Sequence, residues 1–384
     1  MTSPLRTLNK LGQSVWLDDL RRDFLADGTL ATLIDEDGVS GLTSNPAIFA
    51  QAIDATDLYD VDIEKYARSG DDAVTIYERL IIDDIQRAAD LLRPIYESTA
   101  AHDGYVSLEV SPHLANDTAA TIEEGKRLWS LVERPNLMIK VPATDAGLPA
   151  IESLIASGIN VNVTLLFSVS RYRDVVEAYW RGLEARVADG YSIARLASVA
   201  SFFISRIDTL VDRQLESEPA STASGLRGKA AIAAGKLAYQ AFHDSLKEPR
   251  WQALESVKAQ PQRLLWASTG TKTAAYSDVK YVEALIGSNT VTTLPMPTLL
   301  AYRDHGEPQP RVAHGMDWAT ATASQLAALD IDMEDFARQL EREGIDKFKI
   351  PFDRLIAQID DARAQTVDDG SGHSRHNADG QPPG

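Results

Sequence analysis

At 384 residues, with 44% hydrophobic and 24% charged side chains, the chain has a globular composition and enough length for a sizeable core. It contains no cysteine, which rules out disulfides, thiolate nucleophiles and thiolate metal sites. A formal net charge of -18 sets its surface against nucleic acid and anionic membranes. Because salt screens that overall field within about 8 Å, a phosphorylated ligand would need local cations at its site.

The opening MTSPLRTLNKLGQS lacks the apolar core of a signal peptide, and no run of eighteen apolar residues suggests a membrane span. The cytoplasm is the expected compartment. Short apolar runs then alternate with longer helical patterns. The strand-like runs cover 14–18, 39–44, 104–110, 136–141, 159–167, 197–203, 263–268 and 289–294. They are rich in Val, Ile, Leu and Thr and mostly lack alternation, as strands buried on both faces do. Between them lie helical patterns such as 117–133, opened by an Asp cap, and 170–190, opened by Ser and closed by Gly. Eight strands separated by helices predict an α/β fold, a closed parallel (β/α)8 TIM barrel. The fold alternative is an open doubly wound sheet, but the only GxG-like stretch, 268–272, is no dinucleotide fingerprint.

Two regions exceed a minimal barrel. Residues 54–98 predict extra helices after the second strand, and 317–366 predict long terminal helices packed on the barrel or across its mouth. The expected organisation is one barrel domain over 1–366 and a disordered tail over 367–384, which is polar and rich in Gly and Pro.

Catalytic groups of such barrels sit at the C-terminal ends of the strands. The polar residues there are Asp18, Thr43, Asn45, Glu109, Lys140, Asn162, Thr164, Ser201 and Ser268. Lys140 stands inside an apolar strand, and lysine is almost never buried without a partner. Burial disfavours the charged form of an amine and frees it as a nucleophile. From this lysine alone, an activated amine and a structural ion pair with Glu109 are equally open. Asp18 and Glu109 are acids in otherwise apolar or small strands; two carboxylates beside a lysine suit proton shuttling, and buried ion pairing is the plainer alternative. Asn45 precedes Pro46, a combination that by itself favours a turn and helix start. Asn162 and Thr164 share a strand face by their spacing of two, which fits strand-interior hydrogen bonding as well as substrate contact.

The stretch 266–272 follows the seventh strand, where barrels often bind phosphate through loop amides and a nearby cation. Ser268, Gly270 and Lys272 suit this, with Arg206 as a second cation, although a Ser/Gly/Thr loop is usually only a loop. The seven histidines show no metal-ligand spacing, so no metal is expected. Without a metal, a carbonyl-activating lysine must supply the electron sink itself.

The segments SVWLDDLRR, GLTSNPAIFAQAI, VSLEVSPHLANDT, PNLMIKVPAT, INVNVTLLFS, SFFISRID and WASTGTK carry a resemblance, running from about residue 10 to 365, to the transaldolase family in its longer form, found in actinobacteria and cyanobacteria. PNLMIKVPAT and INVNVTLLFS together are highly specific. The resemblance implies a class I aldolase barrel without cofactor, acting in the pentose phosphate pathway. It would transfer a dihydroxyacetone unit from sedoheptulose 7-phosphate or fructose 6-phosphate to glyceraldehyde 3-phosphate or erythrose 4-phosphate. It further implies Lys140 as the Schiff-base lysine, Glu109 as an acid/base working through a water, and Asp18 as the base that starts carbon–carbon cleavage. Thr43, Asn45, Asn162, Thr164 and Ser201 would serve the bound dihydroxyacetone unit, Phe203 would line the site, and Arg206 and Ser268 would bind phosphate. Shorter members carry an arginine shortly after this serine; here the loop reads STGTK, and Lys272 takes that place as a point charge and not a fork.

Two rivals stand beside this reading. One is a fructose-6-phosphate aldolase, a lyase that shares fold and lysine but lacks the glutamate at 109 and has a tyrosine near position 203. The other is a catalytically dead barrel used for binding, which the set of Asp18, Glu109 and Lys140 argues against. Phosphosugars are the expected partners, with no nucleic acid and no membrane; the oligomeric state is left open.

Overall fold

The computed structural model describes residues 3–372. Its eight strands are β1 (Gln13–Leu17), β2 (Val39–Leu42), β3 (Tyr105–Glu109), β4 (Leu137–Pro142), β5 (Val161–Leu166), β6 (Ser198–Phe203), β7 (Arg263–Ala267) and β8 (Thr290–Leu294). They close in sequence order into one barrel, and every neighbouring pair, including β1 with β8, is parallel. Every strand residue is buried, which is why these segments read as continuous apolar runs. The (β/α)8 architecture expected from the sequence is the one observed.

Several helices begin where a side chain satisfies one of their first amides. Asp117 accepts from the Ala120 amide at the head of Thr118–Val132. The next long helix, Val169–Ala188, starts two residues earlier than its spacing suggests, because Ser168 and not Ser170 is the cap. The insertion after β2 consists of Pro46–Asp54, Asp60–Arg68 and the 26-residue helix Ala73–Ser98.

The C-terminal region forms two helices, Met316–Ala327 and Met333–Gly372. The second lies across the barrel mouth, touching β5 and the helices after β2 and β6. Gly344 makes this approach possible: a Cβ there would lie 2.8 Å from Leu165 Cδ2. Leu165, at the end of β5, is itself in the left-handed region at φ 61°, a conformation that costs a branched residue about 1–3 kcal/mol. This helix runs through Gly372, so its backbone continues into the segment expected to be a disordered tail; the rest of that tail, 373–384, lies outside the described residues. Among the described residues no helix is long and apolar enough to cross a membrane.

Candidate active site

Strand register sets the centre of the site. Glu109 on β3 pairs with Lys140 on β4, and Lys140 pairs with Asn162 on β5. Three polar residues therefore stand at one level on adjacent strands. Lys140 Nζ lies 3.4 Å from Glu109 Oε2 and donates to the Ser44 carbonyl at 3.2 Å. Both side chains are nearly inaccessible, at 5% and 3%. The ion pair weighed as the plain alternative thus exists, and it coexists with an amine at the floor of a cavity. Among the described residues neither Glu109 oxygen takes a hydrogen bond. Burial pushes the Glu109 carboxyl up from its ordinary range, and Lys140 opposes that rise. A carboxyl held this way is suited to proton transfer.

The cavity, about 160 Å³, is lined by Asp18, Thr43, Asn45, Lys140, Ser201, Phe203, Arg206, Ser268 and Lys272 among the expected residues. Asp18 Oδ1 accepts from Thr43 Oγ1 at 2.6 Å, which fixes the carboxylate at the mouth of β1. Ser201 donates to Asn162 Oδ1 at 2.7 Å, and Asn162 Nδ2 donates to Ser107 Oγ at 3.0 Å. Asn162 thus stands behind Ser201, away from the cavity lining. Asn45 has the helix-start role that its Pro neighbour suggests: Oδ1 accepts from the amides of Ala47 and Ile48. That leaves its amide NH2 for the cavity. Glu109 reaches the cavity only through Lys140. Thr164 does not line it, and its buried hydroxyl has no partner among the described residues.

At the far side, Arg206 and Lys272 bring two cations together. Nη1 of Arg206 is buried without a hydrogen-bond partner among the described residues. Burial pulls the pKa of both groups down, and for Lys272 the nearby Arg206 adds to it. Ser268 is in the left-handed region at φ 55°, and its hydroxyl meets that of Ser205 at 2.9 Å. A guanidinium with an unused donor, a lysine and a serine around one cavity form a site an oxyanion would satisfy. Among the described residues no three His, Asp or Glu side chains group to hold a metal ion.

Three contributors were not foreseen. The Ser44 carbonyl receives the lysine, and Ser107 holds Asn162; Ser107 precedes Glu109 by two, so strand spacing could have flagged it. The third is Phe348 of the terminal helix, which lines the cavity with its ring 5.6 Å from Lys140 Nζ.

Comparison with known proteins fits this geometry. The family described as transaldolase/fructose-6-phosphate aldolase matches residues 15–359, and that span takes in β2–β8 whole and most of β1. The chain belongs to the transaldolase/fructose-6-phosphate aldolase family. A transaldolase of Thiobacillus denitrificans is 49% identical over 354 residues, covering 92% of this chain and 99% of the relative. A transaldolase of Saccharopolyspora erythraea is 48% identical over 361 residues, covering 93% and 97%. A protein named transaldolase 2 from Nostoc sp. is 47% identical over 367 residues, covering 93% and 96%. Similarity to several transaldolases along nearly the whole chain makes this protein an enzyme of the transferase kind within the family.

Proposed function

We propose that the protein moves a dihydroxyacetone unit from sedoheptulose 7-phosphate or fructose 6-phosphate to glyceraldehyde 3-phosphate or erythrose 4-phosphate, through a Schiff base on Lys140, in the pentose phosphate pathway of the cytoplasm. The observation that carries this reading is one buried lysine within reach of a buried carboxyl, at the floor of a cavity that also holds Asp18 and two cations. In this mechanism the Lys140 amine adds to the ketose carbonyl, and Glu109 hands a proton, by way of a water, to the departing hydroxyl. Asp18, oriented by Thr43, removes the proton from the C4 hydroxyl as the C3–C4 bond breaks. The aldehyde leaves, the three-carbon enamine stays on Lys140, and a second aldehyde reverses the steps. Asn45, Thr43, Ser201 and, behind it, Asn162 and Thr164 would serve the hydroxyls, while Arg206, Ser268 and Lys272 would take the phosphate.

A coupled assay with fructose 6-phosphate and erythrose 4-phosphate tests this. Formation of sedoheptulose 7-phosphate supports it. Free dihydroxyacetone without transfer would make the protein a lyase, and no turnover at all would leave a binding protein.

A further inference from the structure

The terminal helix brings side chains to the barrel mouth at a spacing of four. Gly344 rests on Leu165, Phe348 reaches the cavity, and Phe352 packs on Tyr77 and His113 with ring centroids 5.5 and 5.8 Å away. Phe348 is only 4% exposed, and its ring centroid is 5.6 Å from Lys140 Nζ and 5.9 Å from Arg206 Cζ. Phe203 flanks the same guanidinium at 5.0 Å. Two aromatic rings from distant parts of the chain thus wall the space between the amine and the cation, and neither carries a proton donor. With Phe348 in place the cavity measures about 160 Å³, roughly half of the smallest usual ligand pockets, about 300 Å³.

We infer that Phe348, supplied by a helix outside the barrel, is a specificity-determining residue that keeps water from the lysine-bound three-carbon intermediate and so favours transfer over release. The inference rests on the Schiff-base reading above. The enamine has two fates. In transfer, its nucleophilic carbon bonds to an aldehyde carbon and the aldehyde oxygen gains a proton. In release, that carbon takes a proton, and one water then adds across the C=N bond to give free dihydroxyacetone and the lysine amine. Transfer too ends with one water adding across the C=N bond of the product ketose, but only release needs solvent to protonate the three-carbon enamine before an aldehyde arrives. An apolar ring over Nζ denies it that solvent.

The test measures free dihydroxyacetone from fructose 6-phosphate and transfer to erythrose 4-phosphate in the same preparations, for wild type, Phe348→Leu, Phe348→Ala and Phe348→Tyr. The Ala variant opens the wall, and the Tyr variant keeps its shape while adding a hydroxyl above the amine. The expected result is a release-to-transfer ratio raised about tenfold or more in Ala and Tyr, with Leu near wild type. If Ala fails to fold, the Tyr variant decides. An unchanged ratio in the folded variants, with both activities falling in parallel, would overturn the inference and leave Phe348 a packing residue. Wild-type enzyme that forms no borohydride adduct with fructose 6-phosphate would instead bring down the Schiff-base reading, and this inference with it.

Discussion

Replacing Arg206 with methionine separates phosphate recognition from folding. In the free enzyme Arg206 is a liability: its Nη1 is buried without a partner, and such a group costs about 1–3 kcal/mol. The rings of Phe203 and Phe348, at 5.0 and 5.9 Å, offset part of that cost, each contact being worth about 0.5–2 kcal/mol. Methionine removes the charge, keeps an unbranched stem between the rings, and regains about 0.3–1.5 kcal/mol per aromatic contact. These contributions nearly cancel, so stability should move by less than about 1 kcal/mol, or under about 3 °C in Tm. Phosphate binding does not cancel. A charged hydrogen bond is worth about 1.5–3 kcal/mol, so kcat/KM for fructose 6-phosphate should fall about ten- to a hundredfold, mainly through KM. Unphosphorylated fructose should be hardly affected, and inorganic phosphate should raise the Tm of the wild type but not of the variant. Steady-state kinetics on both donors and thermal melts with and without phosphate read all of this. Equal loss on the two donors would refute the reasoning, as would phosphate stabilising the variant as well as the wild type.

The Glu109 carboxyl is raised by burial; the proton it hands to the departing hydroxyl is one it first takes from Lys140, so catalysis that needs its ionised form at the outset should fail as pH drops through a value above the usual carboxylate range, about 4.3. Glu109→Gln should lose that acidic limb along with most activity, while Asp19→Asn should keep it although burial lifts Asp19 to about 6; a limb that follows Asp19 would reassign it. Gly147, just beyond β4, sits against the Pro142 carbonyl, and a Cβ there would lie 2.0 Å from that oxygen. Gly147→Ala should therefore lower stability by about 1–3 kcal/mol or more, visible as a lower Tm; an unchanged Tm would show that the loop yields freely.

Much of this was legible in the sequence for a physical reason. Strands buried on both faces are mostly apolar, so a lysine at 140 and a glutamate at 109 stand out against their neighbours. Residues that line the cavity from strand ends, such as Asp18, Thr43, Ser201 and Phe203, follow from the barrel rule once the strands are found. What stayed hidden depends on distance in sequence. Nothing local to Phe348 says that a helix some two hundred residues after Lys140 folds back over the mouth; its periodicity predicts a helix, not a destination. Asn162 shares a strand face with Thr164 by its spacing, but only the structure puts it behind Ser201. Thr164 shares its parity but does not line the cavity, and Leu165 beside it breaks the regular register of β5. Asn45 shows that two readings of one residue can both hold, since the amide oxygen caps a helix while the NH2 remains for the cavity.

The central claim is the covalent role of Lys140. Incubating the protein with fructose 6-phosphate and borohydride, followed by peptide mapping by mass spectrometry, tests it most directly. The account predicts a reduced dihydroxyacetone adduct on Lys140 alone, absent from Lys140→Arg although that variant stays folded. An adduct on Lys272, Lys236 or any other lysine, or turnover by Lys140→Arg at the wild-type rate, would contradict it.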